Sequence, residues 1–208
     1  MDGALSNNPL IGFAICIGLF HFANAPLLPL VGQKIKVARK DWASAAMSTF
    51  IVAAQLVMLP NALLSGREAG RWGRRPILRA SFAILPVRAA LYTLSANPAW
   101  LIFIRLMDGI GSGVLSVLTP LFVEDLMRGA GRYNLALGTA TTAQGLDASL
   151  SGLATGVVVD HSGFGAALLE CGLAAVIALG TLWVYAPESA PRGSGRPRRG
   201  REREQGGE

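Results

Sequence analysis

Apolar residues in this chain gather in long blocks, and the blocks are separated by short stretches rich in Arg, Lys, Gly and Pro. A helix rising about 1.5 Å per residue needs roughly 20 apolar residues to cross a hydrocarbon core about 30 Å thick. Six blocks meet that length: 9–30, 42–64, 77–95, 100–123, 135–159 and 164–186. They predict an all-α polytopic membrane protein, a six-helix transmembrane bundle over residues 1–186. From Pro187 the composition turns to Pro, Gly, Ser, Arg and Glu. Such a segment buries too little apolar surface to offset the entropy of ordering, so 187–208 is expected to be a disordered basic tail. Only residues 96–99 join the third and fourth blocks, which makes those two helices antiparallel neighbours.

The breaks carry the charge, and the charge sets an orientation. Residues 66–78, GREAGRWGRRPIL, place four arginines and one acid between two spans, in a turn expected to stay in water. Six crossings put both termini on one side. That side holds Arg67, Arg71, Arg74, Arg75, Arg79, Arg128, Arg132 and six tail arginines, thirteen basic residues against four (Lys34, Lys36, Arg39 and Lys40) on the other. Basic flanks are retained in the cytoplasm, so both termini are expected there and the bundle in the plasma (inner) membrane.

Composition narrows the function classes. The chain is 51% hydrophobic and 15% charged, with mean hydropathy +0.43, too apolar for a soluble domain of 208 residues. Its net charge of +6 resides mostly in the tail and one loop, so the expected partner is a lipid bilayer and not nucleic acid. Cys16 and Cys171 lie inside apolar blocks without any metal-ligand spacing, and they read as small packing residues. Neither metal nor cofactor is expected. No Lys or Arg precedes Pro9, so the first block lacks the basic region of a secretory signal and is expected to be retained.

Ionisable groups inside a span are expensive, and each needs a partner or a purpose. Arg88 and Asp108 both fall roughly 10 to 12 Å below the outer boundary of the adjacent third and fourth helices. They are expected to form an ion pair, which can lock the hairpin or take part in transport. Arg105 shares a face with Asp108 at i,i+3 and can either snorkel outward or compete with Arg88 for the carboxylate. His21 with Asn24, and Gln144 with Asp147, enter about 18 Å from the other face, near the midplane where secondary transporters place substrate and coupling-ion sites. Gln55 on the second span joins this candidate set. Any of them can equally be a satisfied core group or interhelical glue.

Small residues suggest where helices approach. Gly138, Gly145 and Gly152 recur every seven residues, Gly152 and Gly156 make a G-x-x-x-G, and Gly109, Gly111 and Gly113 line the fourth span. Both faces are expected to receive a neighbouring helix. The glycines at 109–113 are no dinucleotide fingerprint, because no strand precedes them. Pro26, Pro29, Pro60, Pro86 and Pro120 each remove a backbone donor and invite a bend.

The loop spacing Gly66, Ala69, Arg71, Gly73, Arg74, Arg75, Pro76, Leu78 resembles the G-x-x-A-D-R-x-G-R-[KR] signature of the major facilitator superfamily of secondary transporters. RLMDGIGSG at 105–113, RGAGRYNLALG at 128–138 and the Pro187-Glu188-Ser189 terminus strengthen the resemblance, which covers nearly the whole chain before the tail. It implies the second six helices of a twelve-helix transporter, the second and fifth spans lining the cavity, with cavity roles for His21, Asn24, Gln55, Gln144 and Asp147. Three positions depart: Gly70 stands where the signature has aspartate, Asp147 where a small residue is usual, and Glu170 lies in a sixth span expected to face lipid.

The resemblance implies transport of a small-molecule substrate, with a proton gradient as driving force by family analogy. Alternating access rocks one six-helix half against another, so the bundle is expected to need a second copy of itself or a separate first half, and not to transport alone. The alternatives are a truncated fragment that moves nothing and an intramembrane aspartyl protease built on Asp108 and Asp147. The G-x-G-D and Y-D motifs of such proteases are absent, and no enzyme activity is expected. Polar but mostly uncharged cavity candidates do not select a substrate.

Overall fold

The computed structural model describes residues 9–38, 41, 43–127 and 133–185, and these are almost wholly helical: α1 Pro9–Asn24, α2 Leu27–Ala38, α3 Ala43–Trp72, α4 Arg74–Leu94, α5 Pro98–Leu126 and α6 Tyr133–Tyr185. No strand occurs among the described residues. Among the described residues, five helical stretches are long and apolar enough to cross a membrane: Ile11–Val37, Ala43–Ala69, Arg74–Leu94, Pro98–Asp125 and Tyr133–Val184. The expected tail 187–208, together with Arg128 and Arg132, lies outside the described residues.

Several boundaries differ from the hydropathy reading, each for a local reason. Ala25 and Pro26 separate α1 from α2, since Pro26 has no N–H to continue the ladder. The break is slight: Ala25 N–H still donates to His21 O at 2.8 Å, and Leu30 N–H to Pro26 O at 2.9 Å. Helix therefore continues to Ala38, beyond the apolar block, and carries Lys34 and Lys36 on its last turns. The basic stretch after Leu64 is not a turn. It extends α3 to Trp72, because Arg, Glu and Ala are good helix formers and no proline intervenes before Pro76. The whole connection to α4 is Gly73, and Pro76 sits in the first turn of α4, where an N–H would have no intrahelical partner anyway.

The α4–α5 hairpin is closed by chemistry at its corner. The Asn97 side chain accepts from Ala99 N–H at 2.9 Å, Pro98 opens α5, and Trp100 Nε1 donates to Leu91 O at 3.0 Å.

The 53-residue α6 is interrupted at Gly163 (φ 81, ψ 174). Asp147 Oδ2 lies against Gly18 of α1, while Thr181 meets Cys16 two residues earlier on the same helix. In a straight helix Asp147 and Thr181 would be roughly 50 Å apart. Both can touch one turn of α1 only if the chain doubles back at Gly163. Gly73 (φ 84, ψ 158) makes the other sharp reversal, and these are the only two positive-φ residues among those described. That region of backbone space is essentially closed to side chains. Gly163→Ala is therefore expected to destabilise the bundle by about 1–3 kcal/mol, although a Cβ there meets nothing within 4 Å. Thermal unfolding in detergent checks this.

Packing pairs α1 with both arms of α6, α3 with α5, and α4 with α5 and α6. The core between them is aromatic and aliphatic. Phe13 of α1 stacks on Phe122 of α5 with centroids 4.9 Å apart, Phe20 meets Phe82 of α4 at 4.7 Å, and Leu118, Leu168 and Tyr92 are fully enclosed.

Candidate functional site: a buried charge network and an acidic groove

α4 buries Ser81, Phe82, Leu85, Arg88, Ala89 and Tyr92 on one face, so Arg88 points into the bundle. The Arg88 guanidinium reaches two helices at once: Nη1 pairs with Asp108 Oδ1 of α5, and Nη2 donates to Asn24 Oδ1 at the end of α1. Arg105, one turn before Asp108, takes the other carboxylate oxygen at 2.7 Å. Arg88, Arg105 and Asp108 are only 2%, 6% and 7% exposed. Arg105 therefore does not snorkel outward. Asp108, three residues further along the same face, offers it a carboxylate inside the bundle instead. Two cations on one anion leave the network with a net positive charge. Near it, Ser81 Oγ, Tyr92 OH and one carboxylate oxygen of Glu170 are buried without hydrogen-bond partners among the described residues. Glu170 thus does not simply face lipid, since its residue is half-buried and Oε2 is sealed.

The other candidates lie toward an open side of the bundle. Asp147 rests on Gly18, whose missing side chain makes room for it: a Cβ at Gly18 would stand 2.5 Å from Asp147 Oδ2. His21, one turn further along α1, is half-buried, close enough for its charge to interact with Asp147, and edge-on to Phe20 at 5.8 Å. A groove of about 400 Å³ runs between α1 and α6, with Asp147 as its one charged lining residue. Gln144 is half-buried a turn before Asp147. Asn24 belongs to the charge network and not to the groove. Gln55 is exposed on α3, and no described contact brings it to the other four.

The basic stretch is tied to the end of α5. Arg74 Nη1 pairs with Asp125 and also donates to Leu121 O at 2.7 Å. Gly66 leaves α3 close to Val117, Gly73 forms the joint, and Arg75 is half-buried; the Arg71 side chain falls outside the described residues. Sequence reasoning missed Asp125, although an acid closing a span beside an arginine-rich connection was a usable signal.

The two glycine runs part company. Gly109 and Gly113 press on α3 backbone, a Cβ at Gly113 falling 2.7 Å from Met58 O. Asn61 of α3 donates to Ile110 O across the same contact at 2.5 Å. Gly138, Gly145, Gly152 and Gly156 instead face open space, with nothing within 4 Å of a built Cβ. The expected neighbour is not among the described residues.

The chain matches the Major Facilitator Superfamily over residues 10–204. It belongs to that superfamily. This superfamily protein is 46% identical over 166 residues to a Mycobacterium tuberculosis protein named as an uncharacterized MFS-type transporter. That match covers 80% of this chain and 40% of the relative. A gallate transporter of Pseudomonas putida is 27% identical over 154 residues, 73% of this chain and 34% of that protein. An MFS-type transporter of Penicillium citrinum is 35% identical over 99 residues, 47% and 16% of the respective chains. The chain thus spans about two-fifths of the length of the mycobacterial relative it matches.

Proposed function

We propose that this chain forms a six-crossing half of a major facilitator secondary transporter, and that its small-molecule cavity closes only against a second six-helix bundle. The two arms of α6 are then the fifth and sixth crossings, turned at Gly163. Both termini face the cytoplasm, the membrane is the inner membrane, and a proton gradient supplies the driving force. The second bundle is another copy, a separate chain, or a further part of a longer one.

One observation carries the reading. On α6 the face bearing Gly138, Gly145 and Gly152 has no neighbour, and Leu146, Leu150 and Leu153 beside it stand exposed, while Asp147 lies on the opposite side of the helix in the α1–α6 groove. Bare glycine backbone is a poor lipid-facing surface and a good helix-facing one. The unpartnered glycine face is thus where a second bundle would pack.

The test is uptake or efflux of labelled small molecules in proteoliposomes, with and without a candidate partner bundle, combined with crosslinking from a cysteine at position 146. Flux that needs the partner and collapses when the proton gradient is dissipated supports the proposal. Absent flux with scattered crosslinks establishes the truncated, non-transporting fragment instead. The aspartyl protease reading finds no support, since Asp108 is shared between two arginines while Asp147 sits in the α1–α6 groove.

A further inference from the structure

We propose that the groove between α1 and α6 binds amphipathic organic cations, the Asp147 carboxylate being their counter-charge; the inference rests on the transporter reading for its physiological purpose, but not for its test. Ile11, Ile15, Leu19 and Phe22 recur at three- and four-residue steps and give the groove one continuous apolar wall on α1. Ala143 and Asp147, one turn apart on α6, form the facing wall. The volume of about 400 Å³ suits a molecule of drug size.

Within this apolar space stands one anion. Asp147 makes no ion pair or hydrogen bond among the described residues, and no lysine or arginine lines the groove. The internal arginines Arg88 and Arg105 are committed to Asp108. His21 is the titratable neighbour that faces it, one turn along α1. A half-buried carboxylate lacking a partner is unfavourable until a cation arrives, and the greasy wall discriminates against small hydrated ions. An ammonium or phosphonium bearing aromatic or aliphatic groups satisfies both, with the Phe22 ring as a further surface for positive charge. An anion meets repulsion here, and a sugar finds too few hydrogen-bonding groups.

Gly18 makes the geometry specific. Its bare backbone lets the carboxylate lie against α1, since a Cβ would stand 2.5 Å from Oδ2. The groove is therefore shaped around the acid and not merely adjacent to it.

The probe is tetraphenylphosphonium, titrated into the purified full chain in nanodiscs by calorimetry. Saturable binding is expected, weakened at least about tenfold by Asp147→Asn and by Gly18→Ala, and largely retained by Asp147→Glu. Neutral triphenylphosphine oxide should not displace it. Helix content and gel-filtration profile confirm that each variant is folded, and Gly18→Ala, which keeps the acid, serves if Asp147→Asn is not. Absence of saturable binding, binding indifferent to both variants, or tighter binding of gallate overturns the proposal. Flux of other solutes without phosphonium binding would sink this inference alone. Phosphonium binding without flux under any partner would sink the transporter reading and leave the site standing.

Discussion

Asp108→Asn should lower the stability of the bundle by about 3–5 kcal/mol, read as a drop in the midpoint of thermal or detergent-induced unfolding. The substitution keeps size and shape while removing the one negative charge between Arg88 and Arg105. Two guanidiniums then face each other inside the bundle with no anion between them. Arg88→Met should cost less, because Arg105 still satisfies one oxygen of Asp108 while Asn24 loses only a hydrogen bond. Replacing all three charges together with apolar residues of similar volume (Arg88→Met, Arg105→Met, Asp108→Leu) should recover most of the loss, since no ion is left stranded. A triple variant as unstable as Asp108→Asn would mean that the network contributes net stability of its own.

Gly113→Leu and Gly145→Leu should behave oppositely although both are glycines in membrane-length helices. At Gly113 the new side chain would enter space held by Met58 O and Asn61 Nδ2, the first a backbone atom that cannot move alone. α3 and α5 must separate, and the Asn61 bond to Ile110 O is lost, for a combined cost of about 3 kcal/mol. At Gly145 nothing lies within 4 Å. There the change should be neutral or stabilise by up to about 1 kcal/mol, because glycine is a poor helix former. Unfolding midpoints of the isolated bundle measure both. If Gly145 faces a second bundle, the same leucine should abolish crosslinking and flux while leaving that midpoint untouched.

Much of the fold could be read from the sequence because lipid imposes a length on every apolar helix, and that length shows in hydropathy. The basic stretch is less legible, because a run of charge between two apolar blocks suggests a turn. Helix formation there is governed by propensity, and the Arg, Glu and Ala of 66–72 carry the helix past Gly66 and Gly70 in the absence of a proline. The meeting of Arg88 with Asp108 could be placed from depth alone, since residues 96–99 force the two helices together. The share of Asn24 could not, because it depends on how α1 and α4, 64 positions apart at that bond, settle against each other. The same limit explains Arg105: sequence spacing put it beside Asp108, but only packing decided whether it turned inward. Glycine periodicity showed that a face was smooth, not that the rest of this chain would cover it. Gln55 illustrates the point from the other side, since its depth was legible and its distance from the remaining candidates was not.

Gly73 is the whole of the connection between α3 and α4, and a one-residue joint has two free torsions. Neither helix can slide past the other; each can only swing or roll about that point, as the two bones of a knee do. Arg74, the first residue beyond the joint, grips Asp125 and Leu121 at the end of α5, so the swing carries that end along. The start of α4 is therefore tied to the end of α3 through the chain and to the end of α5 through Arg74, and lengthening the joint by even a few flexible residues would loosen the first of these ties.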